Sequence, residues 1–366
     1  MEFVEVPPLR FPEFTEPWET AKLGDMTVNF SKRNKDEIEY PMYSVTNNRG
    51  FIPQSEQFED REMVSSDIKS YKIITKGDFA YNPARINVGS IAKYNGDNDC
   101  MISSLYVAFR AKEQINAEWL MQLLKTPKMN FYYNLNAEGG VRMYLFYPNF
   151  ERIRTSYPSL NEQRKVAQFL DLLDHRIAVQ SGLINKLESL ISGIIERLTA
   201  QSPNVRISDC LECHSSTLQE NQLNDTGGYW VYGANGICGY TDSPAINGAA
   251  ILIVKDGSGV GNVSYAMGEY SVIGTSNYLT AKNGYSLRYL YYSLMKFNFV
   301  PYKTGMAIPH IYFKDYGKAK IYCPSLEEQE RIASNLSKIE RKIEIERSIK
   351  DNCIMQKKYL LQQMFI

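Results

Sequence analysis

Apolar residues recur at alternating spacings of four and three along residues 160–198. All positions of this stripe but one are apolar: Val166, Leu170, Leu173, Ile177, Gln180, Ile184, Leu187, Ile191, Ile194 and Leu198. A stripe of this length is typical of a coiled-coil seam and predicts one long helix. Such a helix would be about 58 Å long at 1.5 Å per residue. It cannot bury its seam alone, so the pattern also predicts a partner helix.

The beginning of this helix is repeated later in the chain. Residues 324–343 match residues 158–177 without a gap, at an offset of 166 residues and with eight identities in twenty positions. In both copies a proline precedes a Ser-x-x-Glu motif, which predicts a capping box at a helix N-terminus: Ser159 with Glu162, and Ser325 with Glu328. The second copy therefore supplies the expected partner helix.

The seam of the second helix is apolar at first and then mixed. Its apolar part consists of Ile332, Leu336, Ile339 and Ile343. The equivalent later positions are Glu346, Lys350, Cys353, Lys357, Leu360 and Met364, and the pattern does not fix their register. We expect the seam residues of both helices to pack helix against helix, because apolar stripes are usually buried.

Glycine-punctuated, β-rich stretches precede each long helix. In the second half, residues 229–240 predict strand, turn and strand, residues 249–254 and 278–281 predict further strands, and residues 287–297 predict a short helix. The first half has counterparts at 71–81, 105–109 and 119–124. The predicted fold is therefore α+β, with two globular α/β modules and two long helices. The predicted bounds are a first module at 1–157, a helix at 158–199, a second module at 200–323 and a helix at 324–366.

Charge and composition narrow the function classes. The 366 residues contain 41 Lys and Arg against 41 Asp and Glu, which argues against a histone-like, charge-driven nucleic-acid binder. The second module is nevertheless polarised: residues 201–250 contain one basic and five acidic residues, whereas 251–323 contain eight basic and three acidic ones. A local basic face with tyrosine and asparagine suits phosphate positioning and base reading.

The repeated Pro-Ser-Leu-x-Glu-Gln motif, each copy preceded by a variable module, resembles the specificity subunit of type I restriction–modification systems. The opening Leu9-Arg-Phe-Pro-Glu-Phe14 and the Trp18-Glu19 pair resemble the amino-terminal start of that family. The resemblance implies two target-recognition domains that each read one half of a split, asymmetric double-stranded DNA sequence. It also implies that the two helices pair antiparallel as a coiled coil, with Leu170, Leu173, Ile177, Ile184, Leu187, Ile191, Leu336, Ile339 and Ile343 in its seam.

The resemblance further implies partners that carry the chemistry. Two methyltransferase subunits would bring S-adenosylmethionine and methylate adenine, and a motor–nuclease subunit joins them in restriction-competent systems. The chain itself would hold no cofactor and no catalytic residue. It would act in the cytoplasm, and no membrane partner is expected because no apolar run approaches the ~20 residues of a bilayer span.

Loop-placed donors are the candidate DNA contacts, because Asn pairs most readily with adenine and Arg with guanine. In the first module they are Asn47, Asn48, Arg49, Arg85 and Arg142. In the second module they are Lys255, Ser258, Asn277, Lys303 and His310. The alternative for each is a solvated surface or turn residue.

Two further motifs suggest chemistry that their context does not support. Cys210-Leu-Glu-Cys213-His214 has the spacing of a haem attachment site, but no export signal or second ligand pair accompanies it, so no metal site is expected. Gly257-Ser-Gly-Val-Gly261 follows an apolar strand but precedes a β-like segment, which predicts a hairpin turn rather than a phosphate loop.

Two rival hypotheses remain beside the DNA-reading subunit. The same architecture could serve as a coiled-coil adaptor without sequence-specific DNA binding. A self-contained restriction enzyme is the other, and the absence of methylase and nuclease motifs from the sequence argues against it.

Overall fold

The structure of the chain is a computed structural model, which describes residues 6–57, 68–140 and 142–366. The chain divides into two compact units. Unit 1 consists of residues 1–179 with 349–366, and unit 2 consists of residues 180–348. Each unit therefore contains one of the predicted modules and a segment of both long helices.

The strands of unit 1 are short and mostly antiparallel. They are, in chain order, β1 (Glu19–Lys22), β2 (Thr27–Phe30), β3 (Tyr43–Thr46), β4 (Gly50–Pro53), β5 (Lys72–Ile74), β6 (Phe79–Tyr81), β7 (Ile91–Lys93), β8 (Cys100–Ile102), β9 (Val107–Ala111) and β10 (Arg154–Tyr157). A four-stranded sheet has the order β2-β9-β6-β7, and β1 with β10, β3 with β4 and β5 with β8 form two-stranded pairs.

The helices of unit 1 cover this sheet and lead into the coiled coil. They are α1 (Leu23–Met26), α2 (Gln54–Gln57), α3 (Ala117–Leu124), α4 (Pro127–Asn136), α5 (Tyr147–Phe150) and the first part of α6 (Leu160–Thr199). The side chain of Asn116 caps α3 by accepting the Trp119 N–H at 2.8 Å. Trp119 is fully buried and stacks on Phe365, so the core of unit 1 includes the end of the second long helix.

Unit 2 repeats this plan with longer strands. They are β11 (Val205–Arg206), β12 (Leu211–Ser215), β13 (Tyr229–Gly233), β14 (Gly236–Thr241), β15 (Ile246–Asn247), β16 (Ala250–Val254), β17 (Val263–Ala266), β18 (Glu269–Val272), β19 (Ser276–Ala281) and β20 (Lys320–Ile321). Its sheet of order β12-β19-β16-β17 corresponds to β2-β9-β6-β7 of unit 1, and the β11–β20 pair corresponds to β1–β10. A second sheet has the order β14-β13-β18-β15.

The helices of unit 2 are α7 (Ile207–Cys210), α8 (Leu287–Met295), α9 (Phe313–Tyr316) and the first part of α10 (Leu326–Gln363). The strand-turn-strand prediction at 229–240 is confirmed by the β13–β14 pair. The prediction that the glycine-rich segment 257–261 is a hairpin turn is confirmed, because β16 and β17 pair antiparallel on either side of it. Gly257 and Gly261 have φ values of +94° and +91°, which only glycine adopts without strain.

The two long helices pair as an antiparallel coiled coil. In unit 1, Lys357 of α10 contacts Asp174 of α6 at 2.6 Å, and in unit 2 Arg347 of α10 contacts Glu188 of α6 at 2.5 Å. The later position on α6 thus meets the earlier position on α10. Every predicted seam position on both helices is buried or half-buried, so the heptad prediction is confirmed.

One seam position carries a charge. Glu346 is only 3% exposed, and its carboxylate forms an ion pair with Lys342 one turn earlier on α10. Burial of a carboxylate is costly unless it is paired, and Lys342 provides that pairing.

The capping boxes predicted at the two helix starts form only in part. The N–H groups of Glu162 and Glu328 donate to Ser159 Oγ at 3.5 Å and Ser325 Oγ at 3.4 Å. The glutamate carboxylates, however, do not complete the box. Glu162 accepts from Arg10 and Trp18, and Glu328 accepts from Arg331.

The next residue of the repeated motif attaches each module to its helix. Gln163 donates to Pro158 O at 2.8 Å and accepts the N–H of Asn116, the cap of α3, at 2.8 Å. Gln329 donates to Pro324 O at 2.8 Å and accepts the Ser286 N–H, at the start of α8, at 3.0 Å. The repeat is therefore a repeat of contacts as well as of residues.

Candidate nucleic-acid interface

Three neighbouring loops of unit 1 form one surface. We name them the turn loop, which joins β3 to β4, the hairpin loop, which joins β6 to β7, and the closed loop, which precedes α5. Their residues are 46–50, 82–90 and 138–144, of which residue 141 lies outside the described part of the chain.

Backbone and hydroxyl contacts hold these loops together. Ser90 Oγ in the hairpin loop donates to Val45 O, beside the turn loop, at 2.7 Å. The N–H of Leu145, which follows the closed loop, donates to Pro83 O in the hairpin loop at 3.0 Å. The closed loop is itself fastened by two hydrogen bonds between Glu138 and Tyr144, at 2.9 and 2.8 Å. The relative positions of the three loops are therefore defined by the fold.

These loops border an open groove of about 830 Å³. Four of the five first-module candidates line it: Asn47, Asn48, Arg85 and Arg142. The described residues that line the groove include no carboxylate, and neither arginine forms an ion pair with any described acidic residue. The groove therefore presents unneutralised positive charge beside amide groups.

The fifth candidate, Arg49, is directed elsewhere. Its guanidinium contacts the carboxylate of Glu56 at 2.6 Å, and it lines a neighbouring groove. Of the first-module candidates, Arg49 is the one whose charge is already partly neutralised.

Unit 2 contains an equivalent set of three loops. Its turn loop joins β13 to β14, its hairpin loop joins β16 to β17, and its closed loop precedes α9. Their residues are 233–236, 254–262 and 304–310.

The contacts between the loops of unit 2 repeat those of unit 1. The N–H of Ile311 donates to Lys255 O at 2.9 Å, as that of Leu145 does to Pro83 O. Thr304 and His310 exchange two hydrogen bonds, at 2.9 and 2.8 Å, as Glu138 and Tyr144 do. Both pairs of closing residues are related by the offset of 166 residues found for the long helices.

Most second-module candidates lie at these loops. Lys255 and Ser258 are in the hairpin loop, His310 closes the closed loop, and Lys303 immediately precedes it. Lys255 forms an ion pair with its neighbour Asp256, whereas Lys303 is exposed and has no ion pair within the described residues.

Asn277 does not lie on the loop surface. It is 5% exposed in β19, and its side-chain oxygen accepts the Ser215 hydroxyl at 3.0 Å. Its amide serves the pairing of β12 with β19, so a base edge has no direct access to it. Asn277 is thus placed as a structural residue by its contacts.

Paired aromatic rings beside the closed loops were not among the candidates. Tyr144 stacks on Phe146 with ring centroids 5.8 Å apart, and His310 meets Tyr312 edge-on at 5.1 Å. These pairs are again related by 166 residues. Extending the offset backwards from Pro158 reaches the shared Gly139 and Gly305, and that is the sequence signal that could have found them.

Two buried phenols support the loops without adding charge. Tyr81 ends β6 directly before the hairpin loop of unit 1, and Tyr316 lies in α9 after the closed loop of unit 2. Burial raises the pKa of both phenols well above its ordinary value. Both therefore stay neutral at physiological pH and leave the positive potential of the loops intact.

The Cys-x-x-Cys-His segment is accounted for by the sheet. His214 Nε2 lies 3.0 Å from Thr280 Oγ1 on the paired strand, and its ring stacks on Tyr278. Burial raises the pKa of the Cys213 thiol to about 11, so it is not a thiolate ligand at neutral pH. Within the described residues, no cluster of three or more His, Cys, Asp or Glu side chains could hold a metal ion. No helix in the described ranges is long and apolar enough to cross a membrane.

The repeated module and helix define a recognisable class of protein. Residues 15–189 and 203–353 match the family described as the type I restriction modification DNA specificity domain. Since these two matches cover most of the chain, the chain belongs to that family.

Individual relatives are distant. The chain is 24% identical over 199 residues to the protein assigned as the type I restriction enzyme MjaX specificity subunit of Methanocaldococcus jannaschii, across 51% of this chain and 46% of that protein. It is 27% identical over 112 residues to the EcoprrI specificity subunit of Escherichia coli, across 31% of this chain and 28% of that protein. These matches therefore span less than half the length of either relative.

Solved structures share the fold over nearly the whole chain. The S subunit of a type I restriction–modification system from M. genitalium superposes with a TM-score of 0.69 at 14% identity, covering 99% of both chains. A chain from a structure on the assembly of the type I R-M system gives 0.56 at 16% identity, covering 96% of this chain and 98% of that one. At these identities the likeness establishes the fold.

Proposed function

We propose that this chain is the sequence-reading subunit of a type I restriction–modification complex and binds a bipartite, asymmetric site in double-stranded DNA. The observation that carries the proposal is the duplicated loop surface. The closed loops of units 1 and 2 are fastened by the same hydrogen bonds but present different side chains. One scaffold used twice with different loop residues suits the reading of two unlike half-sites.

The positive charge of these loops supports a DNA ligand. Arg85 and Arg142 in unit 1 and Lys303 in unit 2 are exposed cations without an acidic partner among the described residues. Cations that a fold leaves unneutralised are suited to phosphates and to guanine edges. The overall charge of zero is compatible with this role because the charge is concentrated locally.

The methylation chemistry belongs, in this proposal, to partner subunits. The chain positions two methyltransferase subunits, which bring S-adenosylmethionine, and in restriction-competent complexes a motor–nuclease subunit joins them. Apolar side chains on the outer faces of the long helices support protein partners. Those exposed in unit 1 are Phe169, Leu172, Val179, Ile354, Met355 and Tyr359, and those in unit 2 are Leu190 and Ile345. Exposed apolar side chains in such number suit an interface.

Genome-wide mapping of N6-methyladenine, with the gene present and deleted, tests the proposal. We expect one split, non-palindromic motif to lose its methylation on deletion and to regain it when the gene is restored. An unchanged methylome in cells that express the adjacent methyltransferase would contradict the proposal.

A reconstituted system separates the subunit from the enzyme. The purified chain with S-adenosylmethionine should not methylate DNA, whereas its complex with the methyltransferase should methylate the mapped motif. A complex that assembles but prefers no DNA sequence would favour the coiled-coil adaptor instead. Methylation by the isolated chain would contradict the non-catalytic role.

A further inference from the structure

The closed loop of unit 2 exposes apolar side chains at its tip. Met306 is fully exposed and Ile308 is 67% exposed, although both lie between the two residues that fasten the loop. Gly305 has a φ of +89°, and a Cβ added to it would lie 2.3 Å from Ile308 O, so the tight path of this loop requires glycine. The fold thus holds two apolar side chains in water.

Cationic groups accompany this apolar tip. Lys303 precedes the loop, and Lys314 lies 5.1 Å from the centre of the Tyr312 ring that follows it. The nearest acidic residue along the adjoining hairpin loop, Asp256, is already paired with Lys255. A polyanion is therefore a better match for this surface than an apolar protein or an acidic one.

The equivalent position in unit 1 carries an arginine. Both closed loops contain seven residues between the hydrogen-bonded ends, and Ile308 and Arg142 are the fifth residue of each. Arg142 lines the groove of unit 1 beside Asn47 and Asn48. If the two loops serve one purpose on different half-sites, these two side chains meet the same part of the ligand.

We propose that Ile308 contacts the 5-methyl group of a thymine in the half-site read by unit 2, and that Arg142 donates to a guanine at the equivalent position of the other half-site. The inference rests on the proposed function and specifies its chemistry. In the major groove of DNA the thymine methyl is the apolar feature, and guanine offers two acceptors that suit a guanidinium. Ile308 and Arg142 are specificity-determining residues on this view.

Deoxyuridine provides a direct test because it differs from thymidine by that methyl group. The probe is a duplex oligonucleotide carrying the mapped target, with each thymine replaced in turn by deoxyuridine, and the protein is the complex with its methyltransferase. At one thymine of the unit 2 half-site we expect about a fourfold loss of affinity, the value for one buried methyl group.

The variant Ile308→Ser separates this contact from others. It should bind the thymine probe several-fold more weakly than the wild type and should be insensitive to deoxyuridine at that one position. Val300→Ser is the matched control, since Val300 is also 67% exposed but lies outside the closed loop. It should retain the full response to deoxyuridine. Equal unfolding midpoints for the three proteins would establish that the change is local.

The outcomes distinguish the inference from the function beneath it. A wild-type complex without sequence preference would overturn the proposed function. A sequence-specific complex in which Ile308→Ser responds to every deoxyuridine as the wild type does would overturn the inference alone. Equal weakening of Ile308→Ser on all probes, with loss of DNA bending, would indicate a wedge between base steps and would also overturn it.

Discussion

Gln163 in unit 1 and Gln329 in unit 2 make the same pair of hydrogen bonds, whereas the residues before them, Glu162 and Glu328, make different ones. Glu162 is buried and binds Arg10 in a bidentate ion pair, while Glu328 contacts Arg331 on its own helix. Identity of sequence therefore predicts identity of contact only where the partner is a backbone group. A side-chain partner can be present in one unit and absent from the other.

The same contrast separates the scaffold from the loops. The hydrogen bonds that close the loops and attach the modules involve mainly backbone atoms and recur in both units. The side chains at the loop tips, Arg142 and Ile308, share a position but no chemistry. A fold that is fastened through its backbone can vary its exposed residues freely, which is what a pair of readers for unlike sites requires.

The largest difference between the units is expected at the glutamates. Glu162→Ala should destabilise unit 1 by about 3 kcal/mol, because it leaves the Arg10 guanidinium without its buried partner. Glu328→Ala should leave stability unchanged, since its partner is a solvated arginine one turn away. Urea unfolding followed by tryptophan fluorescence measures the first, because Trp18 and Trp119 are buried in unit 1. Equal losses for the two variants would contradict the comparison.

The glutamines should behave alike. Gln163→Ala and Gln329→Ala should each cost about 2 kcal/mol, because each leaves a backbone N–H and a carbonyl without their partner. Amide hydrogen exchange should accelerate at Asn116 in the first variant and at Ser286 in the second. Gln168→Ala, an exposed change on α6, is the control and should alter neither. A loss in one unit only would show that the repeated motif is not used twice in the same way.

A third pair of positions sharpens the contrast in how each short helix is held. The Arg288 guanidinium of α8 lies 4.2 Å from the Tyr265 ring centre and bonds Ser337 and Glu340 of α10. Arg288→Ala should therefore cost about 1.5 kcal/mol. Glu118 of α3, which pairs with Lys93, is half exposed, and Glu118→Ala should cost less than about 0.5 kcal/mol. Thermal unfolding of both variants is the measurement, and a larger loss for Glu118→Ala would reverse the expected order.

The smallest effect is expected at Lys303. If it contacts phosphate, Lys303→Ala should weaken binding equally for specific and non-specific DNA and should reduce the slope of log affinity against log salt by about 0.9. Lys338→Ala, an exposed lysine on α10, should leave the slope unchanged. Titrations at several salt concentrations decide the matter. An unaltered slope for Lys303→Ala removes this residue from the DNA interface.

The helices and hairpins were predictable because their signals are local. The heptad spacing identified both long helices, and the glycine spacing at 257–261 identified a turn. The buried partner of Glu162 was not predictable, because Arg10 lies 152 residues away and no periodic pattern connects them. A capping box was the local expectation, and a tertiary ion pair displaced it.

The candidate site was predictable as a set of loops but not residue by residue. Residue type alone selected Asn277, whereas the pairing of β12 with β19 decides that its amide faces Ser215. Residue type also overlooked Ile308, because an apolar loop residue resembles a minor irregularity until the fastening of the closed loop is known. Exposure of an apolar side chain is a property of the folded chain and cannot be derived from its letter.

Glu346 gives the coiled coil a preferred alignment. A seam composed only of isoleucine and leucine tolerates sliding by whole heptads, since each shift restores similar packing. A shift would bring the Glu346 carboxylate and its Lys342 partner against different neighbours on α6 and would require their desolvation to be compensated anew. An engineer who replaced Glu346 with leucine would therefore gain thermal tolerance and lose the vernier mark by which the two helices are set.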